Sequence, residues 1–166
     1  MTKFRFEHEF QARAPQDIFD IYFDPTHNEE QDRLAEIDRR ELVEHKDTLE
    51  IREVVYKVFP RRLLPAAVKA FQKSGPLHYI EHVVWRKADD VIDFSIKPSV
   101  MGDRAHIVAT YRLVPVGPGR VKRTYEGSAD VDVPLVGRRI ERAIVEELER
   151  SMQRTAKCTQ EWLDRR

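Results

Sequence analysis

The sequence predicts an α+β fold in which a curved, seven-stranded antiparallel sheet wraps around one long C-terminal helix. Strand-like runs recur through residues 3–12, 37–59 and 78–133, separated by short polar, glycine- or proline-containing turns. From Pro134 to Leu163 apolar side chains step by three or four with no internal proline. A helix about 10 Å wide cannot cover seven flat strands spaced about 4.8 Å apart, so the sheet must bend around it.

Residues 3–12 alternate strictly, with Phe4, Phe6, His8 and Phe10 on one face and Arg5, Glu7 and Glu9 on the other. That is a strand with one wet face. Pro15 suits the first turn of a short helix over 15–23, where Ile18, Phe19, Tyr22 and Phe23 share one side. Asp24-Pro25 breaks it, and a second, polar helix follows at 26–35. Two apolar-rich strands, 37–46 and 49–59, meet at a polar turn around Lys46-Asp47. Leu63, Leu64, Ala67, Val68 and Phe71 then take helical spacing between Pro60 and Gly75-Pro76, which predicts a helical, lid-like insertion near 60–76. Strands resume at 78–87, 90–98, 105–116 and 120–133, and their short connections make the neighbours antiparallel. The final helix carries Val136, Ile140, Ile144, Leu148, Met152, Thr155, Thr159 and Trp162 on its apolar stripe. It is too long to stand without a partner along most of its length.

With 166 residues the chain suits a single domain, 1–166. Its 41% hydrophobic and 35% charged content is that of a globular protein. Its 29 basic and 29 acidic residues cancel, so no net field draws it to nucleic acid or an anionic bilayer. No apolar run approaches the ~18 residues of a membrane span, and residues 1–7 lack a signal-peptide core. A cytoplasmic location without integral membrane association is therefore expected. The single cysteine, Cys158, excludes an internal disulfide and a multi-cysteine metal site.

Few residues suggest chemistry. His8, among phenylalanines on the inward face, suits a ligand anchor or a base with its pKa moved toward working pH; a hydrogen-bonded core histidine is the more ordinary reading. His78 and His82 are four apart on a strand, about 13 Å, too far to share a metal, and no metal or cofactor is expected. His27 and His45 read as surface residues. Tyr111 and Tyr125 place hydroxyls among inward-facing apolar residues, at the cavity or its rim. Trp85 and Trp162 read first as core. Arg123 falls in the alternating set of Val121 and Tyr125: facing inward, it must be paired or meet an anionic ligand group; with a bulge shifting the register, it lies on the surface, which is the preferred reading. Gly137 implies either close helix-to-strand packing or room for a ligand. The arginine pairs 61–62 and 138–139 read as solvated faces. No phosphate loop, nucleophile elbow or Ser-His-Asp pattern appears.

The element order resembles the START-like, or Bet v 1-like (SRPBCC), helix-grip superfamily of polyketide cyclases and lipid carriers. Within it the sequence is most similar to an uncharacterised bacterial START-like family. The residues that carry the resemblance are the opening Phe-rich strand with Ala14-Pro15 before Ile18-Phe19, then His82-Val83-Val84-Trp85. The run from Val133-Pro134-Leu135-Val136-Gly137 into Ile140-Glu141 and the closing Glu161-Trp162-Leu163 complete it. The resemblance implies a hydrophobic pocket between sheet and helix, with ligand binding as the usual activity; the leading expectation is binding of a lipid-like or polyaromatic molecule without chemistry. Phe6, His8, Phe10, Trp85, Tyr111 and Tyr125 would line it from the sheet. Ile140, Ile144, Leu148 and Met152 would line it from the helix. A cyclase or dehydratase using His8, Tyr111 and Tyr125 is the first alternative. A protein-interaction module of the chaperone-regulator kind is the second. No catalytic motif transfers with the resemblance.

Overall fold

The computed structural model describes residues 1–61 and 75–166, so the insertion expected near 60–76 falls almost wholly outside the described residues. Strand β1 (Thr2–Gln11) buries Phe4, Phe6 and Phe10 and exposes the charged residues between them, as the alternation requires. Helix α1 (Pro15–Tyr22) starts on its proline and buries Ile18, Phe19 and Ile21. Helix α2 (Pro25–Leu34) starts one residue earlier than expected because Asp24 caps it: its Oδ1 accepts from the Thr26 and His27 N–H groups at 2.9 and 3.3 Å.

Six strands then form a meander: β2 (Ile37–Asp47), β3 (Ile51–Pro60), β4 (Tyr79–Arg86), β5 (Val91–Pro98), β6 (Ala105–Gly117) and β7 (Arg120–Val131). The sheet order is β1-β7-β6-β5-β4-β3-β2, antiparallel throughout. The β2–β3 turn falls at 48–50 rather than 46–47, because the Thr48 side chain takes the Glu50 and Ile51 N–H groups and closes it there. Strand β2 is a wet edge rather than an apolar strand: Ile37 is its one buried residue, and the pairing slips twice along it. The long connection through α1 and α2 carries the chain between the two edge strands.

The final helix, α3 (Gly137–Asp164), begins three residues later than Pro134 suggests. Leu135 has φ 69° and is fully exposed, which ends the strand direction and turns the chain onto the sheet. The Gly137 N–H then bonds the Val133 carbonyl at 2.8 Å. A Cβ on Gly137 would lie 2.3 Å from the Val131 carbonyl oxygen. Close packing, not room for a ligand, explains this glycine. Four residues on, buried Glu141 accepts from the Thr2 hydroxyl at 2.7 Å and the Val131 N–H at 3.0 Å, tying α3 to both β1 and β7. Farther along, α3 leans on α1 and α2. It thus lies over the β1/β7 side of the sheet, and the concave face of β3 to β5 stands away from it.

Two apolar clusters fill the contact. In one, Phe4, Phe6 and Tyr125 stack with ring centroids 5.3 to 6.4 Å apart, and Phe19 stacks on Trp85 at 4.8 Å. In the other, Ile107, Ala129 and Val131 meet Ile140 and Ile144 of the helix.

Candidate functional site

Between the concave sheet and the inner side of α3 lies a cavity of about 250 Å³. This is just below the ~300 Å³ lower end of ordinary small-molecule sites. Its wall is mostly apolar. The sheet contributes Val83, Phe94, Ile96, Ile107, Tyr111 and Tyr125, and α3 contributes Ile144, Leu148, Ser151, Met152 and Thr155. Tyr22, His27 and Gln31 close it from the short helices.

Of the residues singled out in the sequence, Tyr111, Tyr125, Ile144, Leu148 and Met152 lie on this wall. Phe6, Phe10, Trp85 and Ile140 do not: they are buried in the apolar clusters, packed on other side chains. His8 is also off the wall. It stands behind Arg123, its cross-strand partner, whose Nη2 donates to His8 Nδ1 at 2.8 Å. Burial first, and then the Arg123 charge, push the His8 pKa down to about 4. That is away from working pH, so His8 is a neutral acceptor and not a poised base.

Arg123 reverses the surface expectation. The β1–β7 register runs without a bulge, so the alternation holds and Arg123 faces inward at 3% exposure. Its Nη2 also donates to the Met152 carbonyl at 3.0 Å. Its guanidinium lies 5.2 Å from the Phe10 ring centre and 5.7 Å from that of Tyr111. Burial pushes its pKa down and Tyr111 opposes the shift.

The opposite end of the cavity carries a second polar group that the sequence did not reveal. Arg40 binds Asp32 through Nε and Nη2 at 2.9 and 2.8 Å, and Nη1 binds Glu81. Burial disfavours its charge, but Glu81 and Asp32 outweigh this and raise its pKa well above the ordinary value. The three residues come from α2, β2 and β4, so no local pattern could join them. Burial raises the pKa values of Tyr22, Tyr79, Tyr111 and Tyr125, leaving neutral hydroxyls around the cavity. His27, expected at the surface, is 1% exposed, with Nε2 3.3 Å from the Thr159 hydroxyl and its ring edge-on to Trp162. His45 and His106 are exposed, and His82 pairs with Glu53. Among the described residues no three His, Cys, Asp or Glu side chains are placed to hold a metal ion.

Solved structures share this architecture over nearly the whole chain. The Zhui aromatase/cyclase of Streptomyces sp. R1128 superposes with TM-score 0.63 at 12% identity, covering 99% of this chain and 96% of that one. A START superfamily protein of Mycobacterium smegmatis gives 0.62 at 15%, covering 98% and 97%. Norcoclaurine synthase of Thalictrum flavum, in complex with dopamine and hydroxybenzaldehyde, gives 0.65 at 14%, covering 99% and 87%. At these identities the likeness establishes the START-like helix-grip fold. No curated protein matches the sequence. The family model described as "Protein of unknown function (DUF2505)" matches residues 5–163, and the chain belongs to that family.

Proposed function

We propose that the protein binds a compact, mostly apolar molecule in the cavity between the sheet and α3, and performs no chemistry on it. The observation that carries this is the cavity itself. Helix α3 packs on one side of a sheet too wide for it, and the space left over β3 to β5 is walled by aromatic and aliphatic side chains with a few polar groups. Its size favours a single aromatic ring system or a short aliphatic chain over a two-chain lipid. The complex of norcoclaurine synthase with two such aromatic molecules supports the reading by analogy of fold. We place the protein in the cytoplasm as a single-domain binder; no helix among the described residues is long and apolar enough to cross a membrane.

The catalytic alternative needs His8, Tyr111 and Tyr125 to converge on one point, and His8 is screened from the cavity by Arg123. The interaction-module alternative would draw on Leu42, Val43 and Leu49, exposed on the β2–β3 edge hairpin among charged neighbours. Native mass spectrometry of the protein soaked with fatty acids and small polyaromatic compounds tests the proposal. A one-to-one adduct is expected. Absence of any adduct across both classes overturns it.

A further inference from the structure

Resting on that cavity as a binding site, we propose that its ligand is an organic acid whose carboxylate is held by Arg123. An arginine cannot shed its proton in a protein, so its burial in β7 puts a permanent positive charge at the cavity wall. Buried charges are normally matched by an opposite charge. Arg40, at the other end of the same cavity, obeys the rule with two carboxylates. Arg123 does not. Its polar partners are all neutral, namely the His8 imidazole, the Met152 carbonyl and the Tyr111 hydroxyl, and the rings of Phe10 and Tyr111 lie beside it. No carboxylate lies within ion-pairing distance of it among the described residues, and residues 62–74 contain neither aspartate nor glutamate.

A purely structural role, tying β7 to β1 and α3, accounts for the two bonds from Nη2. It does not account for Nε, which is buried and has no hydrogen-bond partner among the described residues. His8 and the Met152 carbonyl take both Nη2 hydrogens and hold the guanidinium in place, so a carboxylate would meet its permanent charge and its remaining N–H donors in a single, charge-assisted contact. Beside it, Tyr111, Leu148 and Met152 offer the apolar wall against which the body of such an acid would lie. The carboxylates Asp32 and Glu81 at the far end disfavour an acid lying the other way round.

The test is isothermal titration of the whole protein with 2-naphthoate and octanoate, each beside its methyl ester. The expected result is at least tenfold tighter binding of one acid than of its ester. Arg123→Gln should abolish the preference, so that acid and ester bind the variant with equal affinity. Arg123→Lys, which keeps the charge without the anchored planar group, should fall between. The contrast between acid and ester in the unaltered protein does not depend on either variant folding. Equal binding of acid and ester, or an acid preference that survives Arg123→Gln in a folded variant, overturns the assignment of the carboxylate and leaves the cavity reading standing. Failure of all four compounds to bind overturns both.

Discussion

Two histidines show how burial decides the state of a side chain. His8 and His27 both have pKa values pushed down to about 4, in each case chiefly by burial. The Arg123 charge adds to the shift at His8, and Asp24 and Glu30 oppose it at His27. Between the ordinary value of 6.5 and about 4 the unfolded chain therefore binds more protons than the folded one. Stability from both groups is complete above roughly pH 6.5 and declines as pH falls through that window. Urea midpoints should drop between pH 7 and pH 5, and His27→Gln should make the drop shallower. An unchanged pH slope in the variant would remove His27 from the account. The inward set Phe4, Phe6 and Phe10 was legible from alternation alone. The burial of His27 was not, because α2 is polar almost throughout and only its docking on α3 hides that one ring.

At the scale of elements, the start of α3 is the best-determined joint. Replacing a helical glycine by alanine ordinarily stabilises by about 1 kcal/mol. For Gly137→Ala the sign should reverse, with a loss of about 1–3 kcal/mol, because the added methyl would meet the Val131 carbonyl at 2.3 Å. Denaturant melts decide it, and a stabilised variant would mean the joint is looser than its geometry. Glu141→Ala should also cost about 1–3 kcal/mol, since it strands the Thr2 hydroxyl and the Val131 N–H. The burial of Glu141 works against its charge, yet the Thr2 and Val131 hydrogen bonds win and hold its pKa below the ordinary carboxylate value. Its contribution is therefore present at neutral pH and lost as pH falls through that lowered pKa. Element types and order were readable from period and punctuation. Their ends shifted by one to three residues wherever a cap or turn formed: Asp24 for α2, Thr48 for the first hairpin, Leu135 for α3.

For the molecule as a whole, the mismatch between one helix and seven strands has a measurable consequence. Ser151 lies on the cavity wall, so Ser151→Phe should fill part of the space left by α3. The variant should melt no lower than the parent and bind the compounds found by mass spectrometry at least tenfold more weakly. Full binding by a folded Ser151→Phe protein would place the ligand elsewhere. In the parent, a ligand at one hundred times its Kd should add about 2.7 kcal/mol of stability, readable as a rise in melting temperature that the variant lacks.

The sequence by itself determined the α+β class, the strand count, the meander, the long helix and the side of β1, β6 and β7 that turns inward. These follow from periods of two and 3.6 and from turn residues, which act over a few positions. Tertiary structure decided what occupies the interior. Phe6, Phe10, Trp85 and Ile140 share their periodicity with Tyr111, Ile144, Leu148 and Met152, and only the lean of α3 toward β1 and β7 sorts core from cavity wall. It also decided Arg123: alternation pointed inward, the cost of burying a charge argued for the surface, and an unbroken register with a neutral shell of partners brought the charge inside.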